Sequence, residues 1–509
     1  MSSFSGIHLA LQALLTQQHG LEVTSHNVAN SGTEGYHRQE AIFRAGPPQG
    51  APGLASATFA GQVGTGVFVD NVKRYSSELT DMRYRRELAD TRQYEVQSEY
   101  LLQVEGAMAE TGEDGLSAIL DSFWNGWSYV STHPDDTTRR TNLLEDAKNL
   151  TRGLSGRVER LNDLRRDQNM AIIQRVDEIN EIAAQVARLN IEIGRFSGPN
   201  TSPNDFLDEQ DLYLDRLSEI AGVKVSHENT GQVMVSIGGH VLVHGPTAHV
   251  INYSPEPTNF NLVDMEWEDG QPLFLQSGEL AGLIEGRDVV VNEQIESLNN
   301  LATTLITEVN ALHQQGFGLN DTATYDPTLP PPNDIIGPQR EFFTTTPPIF
   351  DPLNPALSIT VNSELDDVNN IALSQTVVLP DPLPGVLTPG LPIAPGDASI
   401  ADEIFRIKDN ALTFGSPPNT VTDTISHYNN MRVTNLALDV NRAETLSNQH
   451  DNLLQVLKEK RESVSGVNLD EEAAHMLQYE RSYQAAVRLM TTVDEMLDRI
   501  INNMGLVGR

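Results

Sequence analysis

The chain has 509 residues, no cysteine, and 70 acidic against 34 basic side chains, a formal net charge of −36. That length calls for about three domains, the missing cysteines exclude disulfides and thiolate metal sites, and the charge excludes nucleic acid as a natural partner, because phosphates need clustered Lys and Arg. The charge is also uneven: residues 1–60 carry a net −1 and residues 451–509 a net −3, so −32 falls between them. Near-neutral ends can approach other copies while an acidic middle stays solvated.

Residues 3–29 predict one amphipathic helix with Phe4, Ile7, Leu11, Leu14, Leu21 and Val28 in phase, weakened by Gly6 and Gly20 and stopped at Asn30-Ser31-Gly32. The opening, MSSFSGIHLALQALL, has neither a basic n-region nor a small-residue cleavage pattern and does not read as a Sec-type signal. No apolar run reaches the ~20 residues of a membrane span, so no membrane insertion is expected. The stretch Ala29-Asn30-Ser31-Gly32-Thr33-Glu34-Gly35-Tyr36-His37-Arg38-Gln39 is open to two readings. One is an anion site built from His, Arg and Tyr near glycines; the other is a tight turn with Gly35 at positive φ and Tyr36 as a packing anchor.

Residues 76–196 predict helix, with a boundary at His133-Pro134-Asp135-Asp136 and a second periodic run through Ile172, Ile179, Ile182, Val186, Leu189, Ile193 and Phe196. Trp124 and Trp127 read as the core of a short helix, and Ser197 stands at the wrong offset for a nucleophile elbow. After a break at 199–203 and one more helix to about Ala221, the period changes to two at Val223, Val225, Val233, Val235, Ile237, Val241 and Val243. Turn signals at Asn229-Thr230-Gly231, Gly238-Gly239 and Asp269-Gly270 make this an inserted antiparallel meander. His227, His240, His244 and His249 fall in it without the spacing of a metal site. A helix follows with Val291, Ile295, Leu298, Ala302, Leu305, Val309 and Leu312 on one stripe.

Fifteen of the 27 prolines lie between Asp326 and Gly396, so this stretch predicts loops, with a short strand region near Phe342, Phe343, Leu357, Ile359 and Val361. Asp366, Asp367 and Asp381 lack the spacing of a calcium loop and read as a solvated acidic surface. Helix returns from about Val421 to Arg461 and meets a joint at Ser463–Gly466. The last forty residues then place Met476, Tyr479, Tyr483, Ala486, Met490, Val493, Leu497, Ile500 and Met504 at alternating steps of three and four. This is a heptad seam. With the shorter N-terminal stripe, it predicts two ends lying side by side and self-assembling with other copies.

Three short motifs sharpen this reading. Ala29-Asn30-x-x-Thr33-x-Gly35-Tyr36-x-Arg38-Gln39, then Gly64-Thr65-Gly66-Val67 with Arg74, and Ser465-Gly466-Val467-Asn468-Leu469-Asp470-Glu471-Glu472-Ala473 with Tyr479 and Tyr483-Gln484-Ala485 stand in that order at the two ends. They resemble the signatures of the bacterial flagellar axial proteins of rod, hook and hook-associated type. Ser277–Asp288, Asn310–His313 and Gly316…Asn320 resemble the junction-forming, hook-associated branch.

The resemblance implies a mainly α fold with a β-rich insertion. The N- and C-terminal helices would pair as a coiled-coil assembly domain (1–60 plus 463–509), and a long helical bundle would form the second domain (61–204, 276–320 and 397–462). A small antiparallel β outer domain (205–275) and a Pro-rich irregular segment (321–396) would complete it. It further implies an extracellular structural subunit at the hook–filament junction, exported through the flagellar type III apparatus without a cleaved signal. Its partners would be copies of itself in a ring or tube, the hook protein, the second junction protein (hook-associated protein 3) and an export chaperone at the C-terminal helix. A hook or distal-rod protein is the nearest alternative, and a secreted enzyme or adhesin displayed on an axial scaffold is the alternative of another class. No H-E-x-x-H, Walker or G-x-G-x-x-G pattern stands out, so no catalytic residue, cofactor or metal is expected.

Overall fold

The computed structural model describes residues 3–503 except 47–63, 109–111, 113–114, 197, 199–201, 229–230, 258–259, 329–334, 346–353 and 379–386, and leaves out the side chains of residues 3–5 and 500–503. Phe4 and Ile500 therefore lie in helices whose side chains there are outside the description. Met504, Asp381, Ser197, Asn229 and Thr230 lie outside the described residues altogether. The chain forms two compact units: Met1–Gln93, Ile173–Ala281 and Asn448–Arg509 in one, Tyr94–Ile172 and Gly282–Ser447 in the other.

The chain opens with α1 (Ser3–Ala29), then β1 (Gln39–Ala45) and β2 (Val67–Arg74), which pair antiparallel from Gln39↔Arg74 to Ala45↔Val67 with a bulge at Ile42/Phe43. The predicted helical region 76–196 is three helices, α2 (Glu78–Met108), α3 (Leu116–Thr132) and α4 (Thr137–Phe196). Next comes α5 (Asn204–Ala221), ended by Gly222 in the left-handed conformation, a residue type that takes this φ without strain.

The insertion holds a four-stranded antiparallel sheet, β3 (Lys224–His227), β4 (Val233–Ile237), β5 (His240–His244) and β6 (Thr247–Ala248), in that order. Gly238 and Gly239, both at positive φ, make the two-residue turn between β4 and β5. Val241 departs from the expectation. A bulge between Val235 and Ser236 shifts the register, so Leu242 and Val243 are buried while Val241 is 36% exposed. A second hairpin, β7 (Ile251–Glu256) with β8 (Leu262–Trp267), occupies a stretch with no predicted strand, whereas Leu273, which follows the predicted turn, belongs to no strand.

After α6 (Glu279–Glu285) the helix widens to one π turn (Gly286–Val290) before α7 (Val291–His313). The Pro-rich region is a series of short pieces: β9 (Thr322–Tyr325), β10 (Ile335–Ile336), β11 (Phe343–Thr345), α8 (Pro355–Ser358), β12 (Ile359–Val361) and β13 (Thr388–Pro392). α9 (Ser399–Arg406), β14 (Leu412–Phe414) and β15 (Val421–Asp423) precede α10 (Ile425–Ser465) and α11 (Leu469–Asn503). Helix thus begins at Ile425, four residues after the predicted start, because Val421–Asp423 pairs with Leu412–Phe414.

The core of the second unit is aromatic. Phe123, Trp124 and Trp127 of α3 are buried with Phe342 and Phe343, and the Trp127–Phe342 and Phe123–Phe343 ring centroids are 5.2 and 5.8 Å apart. Asn310 of α7 holds that pair in place. Its carbonyl accepts from the Phe342 and Phe343 amides at 3.0 and 2.9 Å, and its amide donates to the Phe343 carbonyl at 2.7 Å. The short strands near Phe343 therefore hang on one helix position rather than on a large sheet.

Candidate functional site: the joint of the terminal helices

In the first unit α1 and α11 run antiparallel in one register. A Cβ on Gly6 would lie 3.5 Å from Val493, one on Gly20 would lie 3.2 Å from Tyr479, and Asn27 bonds to Glu472. The row on α1 that meets α11 is therefore small, and small residues let two backbones approach closely. Tyr479 and Ala486, from the predicted C-terminal seam, are buried, and Met476, Tyr483, Met490, Val493 and Leu497 are half-buried.

The N-terminal stripe requires a correction. The buried positions of α1 are Ala10, Thr16, Gly20, Thr24 and Asn27, while Ile7, Leu14 and Leu21 are half-buried and Leu11 and Val28 are exposed. The positions seen to meet α11 are Gly6, Gly20 and Asn27, whereas Thr16 donates to the Val67 carbonyl of β2, so the stripe of large apolar residues is not the row in closest contact with α11. Leu15 on α1 and Leu477, Leu489 and Met496 on α11 are exposed as well.

At the far end of this helix pair the two family motifs close on each other. Gly35, at φ 77°, turns the chain under α5, where an added Cβ would sit 2.5 Å from Leu212. The Thr33 hydroxyl donates to the Asn30 side chain at 3.2 Å, and Asn30 donates to the His26 carbonyl at 3.0 Å, ending α1. Asn27 satisfies its whole amide here. Its carbonyl accepts from the Tyr36 hydroxyl (2.7 Å) and the Gln39 amide (3.0 Å), and its NH2 donates to the Gln39 carbonyl (2.7 Å) and Glu472 (3.0 Å). Burial, then the nearby Asp208 charge, pushes the Tyr36 phenol up, so it stays a donor.

Arg38 ties the N-terminal motif to the C-terminal one. Its amide donates to the Ser465 carbonyl at 2.8 Å, and its Nε donates to Glu472 at 2.7 Å. Gln39 accepts from Asn204 and donates to Asp205 of α5. In the Ser465–Glu471 motif, Gly466 allows the chain to pass Glu462, whose carbonyl would stand 2.4 Å from an added Cβ. Asn468 then caps α11 by accepting from the Asp470 and Glu471 amides, and the acids Asp470, Glu471 and Glu472 occupy the positive end of the helix. Ala29, Leu469, Asp470 and Glu471 are exposed, and Val467 is half-buried. Of the two readings of the first motif, the geometry is that of the turn. Arg38 is engaged with a carboxylate, and no anion cradle forms around His37.

Sequence reasoning missed the ladder beneath this joint. Asp208, Asp211 and Asp215 stand on one face of α5 and bind Arg74 of β2, Arg85 of α2 and Arg461 of α10. Arg461 also holds Asp81 at 2.9 Å and lies 4.8 Å over the Tyr84 ring. Burial pushes the Asp211 carboxyl up, but Arg85 and Arg74 outweigh it and hold it far below the usual range. Three acids at helical spacing were the available signal. Three other segments, β2, α2 and α10, meet on them.

The insertion's histidines face separate partners: His227 with Glu78, His244 with Glu228, His249 with Glu268, and His240 stacked on Trp267. Asp366 pairs with Lys148, and Asp367 accepts from Asn320. Among the described residues no helix is long and apolar enough to cross a membrane.

Comparison with known proteins places this geometry. Residues 101–326 match the family model described as the flagellar hook-associated protein FlgK helical domain, and residues 460–504 match that of the flagellar basal body rod FlgEFG protein C-terminal region. Flagellar hook-associated protein 1 of Bacillus subtilis (strain 168) is 26% identical, with all of both chains covered. The protein of the same name from Escherichia coli (strain K12) is 23% identical over 97% of this chain and 99% of its own. The solved structure of the flagellar hook junction protein FlgK from Burkholderia pseudomallei shares the fold, with a TM-score of 0.60 at 15% identity, over 75% of this chain and 100% of that one. Along its full length the chain is thus similar to flagellar hook-associated protein 1, and its matched segments are those of flagellar axial proteins.

Proposed function

We propose that this protein is a structural, non-enzymatic subunit of the bacterial flagellum that forms the junction between hook and filament and assembles through its terminal helices. The observation that carries the reading is the apolar surface left on both helices after they pack. Leu11, Leu15, Leu489 and Met496 are 41, 53, 42 and 61% exposed, a second greasy face that another copy's terminal helices would cover. The predicted seam residues belong to this proposal as assembly positions, with α1 and α11 as a coiled-coil domain and the helical and β-rich parts outside it. Copies in a ring or tube, the hook protein, the second junction protein and an export chaperone at α11 are the partners it names. Export through the flagellar apparatus to an extracellular site goes with them.

The test is a strain deleted for this gene. Hooks without filaments, with flagellin lost to the medium, are expected, and normal filaments would exclude the junction role. A hook or distal-rod protein is the second reading, favoured by the rod-type match at 460–504 alone. It would instead give no hooks at all.

A further inference from the structure

The ladder under the joint holds four carboxylates, Asp81, Asp208, Asp211 and Asp215, against three guanidiniums, Arg74, Arg85 and Arg461. None of these side chains is more than 18% exposed. An odd negative charge shut away from water is costly unless it is paired or neutralised. We propose that this buried cluster is a proton-binding latch, one cation short, that is tightest when Asp81 carries a proton.

Asp81 is the site because the other three acids are each gripped twice. Asp208 is held by Arg74 and His37, Asp211 by Arg74 and Arg85, and Asp215 by Arg85 and Arg461. Among the described residues Asp81 forms an ion pair with Arg461 alone, through Oδ1 at 2.9 Å, so the other oxygen can carry the proton while that bond is kept.

His37 is the other group facing the cluster. Its Nδ1 is 2.9 Å from the Gly35 carbonyl, Asp208 and Arg74, and its Nε2 is buried without a hydrogen-bond partner among the described residues. A proton added at Nε2 would go unpaired. Asp205 also lies on this face of the joint but is exposed, and water screens it. Consistent with the geometry, burial raises the Asp81 carboxyl above its ordinary value, against the pull of Arg461, Arg85 and His37, with Asp211 adding to the rise.

The sign is opposite to that of an ordinary surface ion pair. A carboxyl raised in the folded state contributes fully below its unfolded value of 3.8 and loses that contribution as pH rises through the folded value. The opening constant of the α2 segment 78–93 in full-length protein, measured by hydrogen exchange from pH 4 to pH 8, tests it. Asp81→Asn carries the neutral state at every pH.

The protection of the parent relative to Asp81→Asn is expected to fall with rising pH, at most tenfold per pH unit, and then level off. A ratio that is flat, or that rises with pH as it would for an ion pair needing ionised Asp81, overturns the proposal. Asp81→Ser, neutral and smaller, serves if the asparagine variant does not fold and must give the same sign. Failure of both variants to fold also overturns it.

Discussion

Removing Glu472 is the sharpest probe of how the ends are joined. Its carboxylate is 2% exposed and accepts from Arg38 Nε at 2.7 Å and Asn27 at 3.0 Å. Truncation leaves a guanidinium that is only 15% exposed without its counter-ion and one buried amide without its acceptor. Breaking a largely buried pair costs about 3–5 kcal/mol. Glu472→Ala should therefore lose about that much of the docking of α11 on the N-terminal turn, and Glu472→Gln, which keeps the shape and loses the charge, about 1.5–3 kcal/mol. Hydrogen exchange over residues 469–486 reads the local loss, and a double-mutant cycle with Arg38→Ala isolates the pair, with a coupling of about 1.5 kcal/mol or more. Additive single effects, or an alanine variant as protected as the parent, would refute the claim that this contact fastens the two ends.

Other perturbations test other parts of the account. Gly35→Ala must adopt φ 77° and push against Leu212, so a loss of about 1–3 kcal/mol is expected in thermal unfolding. Asn468→Ala removes the α11 cap and should cost about 1 kcal/mol, seen as fraying of the helix start in exchange data. His313, buried with Nδ1–H donating to the Arg340 carbonyl and Nε2 accepting from the Ala372 amide, is pushed down to about 4 by burial. Its depressed value means stability is fully present above the unfolded value of 6.5 and is lost as pH falls toward 4, by about 3 kcal/mol in total. Acid unfolding of the parent should therefore be steeper over that window than unfolding of an uncharged His313→Gln variant that folds.

The sequence told most where one periodicity governed a long stretch. The apolar seam of α11 was readable because a helix of this length repeats the same contact many times, and Trp124 with Trp127 marked the core of α3 for the same reason. Gly35 was readable as a turn position within its motif, and Gly466 as part of the joint before α11, though its close approach to Glu462 was not. The packing face of α1 was not, because the glycines that meet α11, Gly6 and Gly20, carry no hydrophobic signal and admit Val493 and Tyr479 by having no side chain.

The Asp208–Asp211–Asp215 row was not singled out among the 70 acids of the chain. Its role depends on Arg74, Arg85 and Arg461, each brought from a different segment, and such long-range pairing leaves no local pattern. The β7–β8 hairpin was hidden because Tyr253, Ser254 and Pro255 face solvent, which removes the alternation that marks a half-buried strand.

The central claim is that the apolar faces left open on α1 and α11 are covered by other copies at the hook tip. Purified protein added to isolated hooks, imaged by electron microscopy with Leu11→Asp and Leu489→Asp beside the parent, tests it most directly. The parent is expected to add a cap of subunits to the distal hook end, and both variants are expected to stay in solution while keeping the fold of the parent. Parent protein that leaves hook tips bare, or variants that add as readily as the parent, would contradict the account.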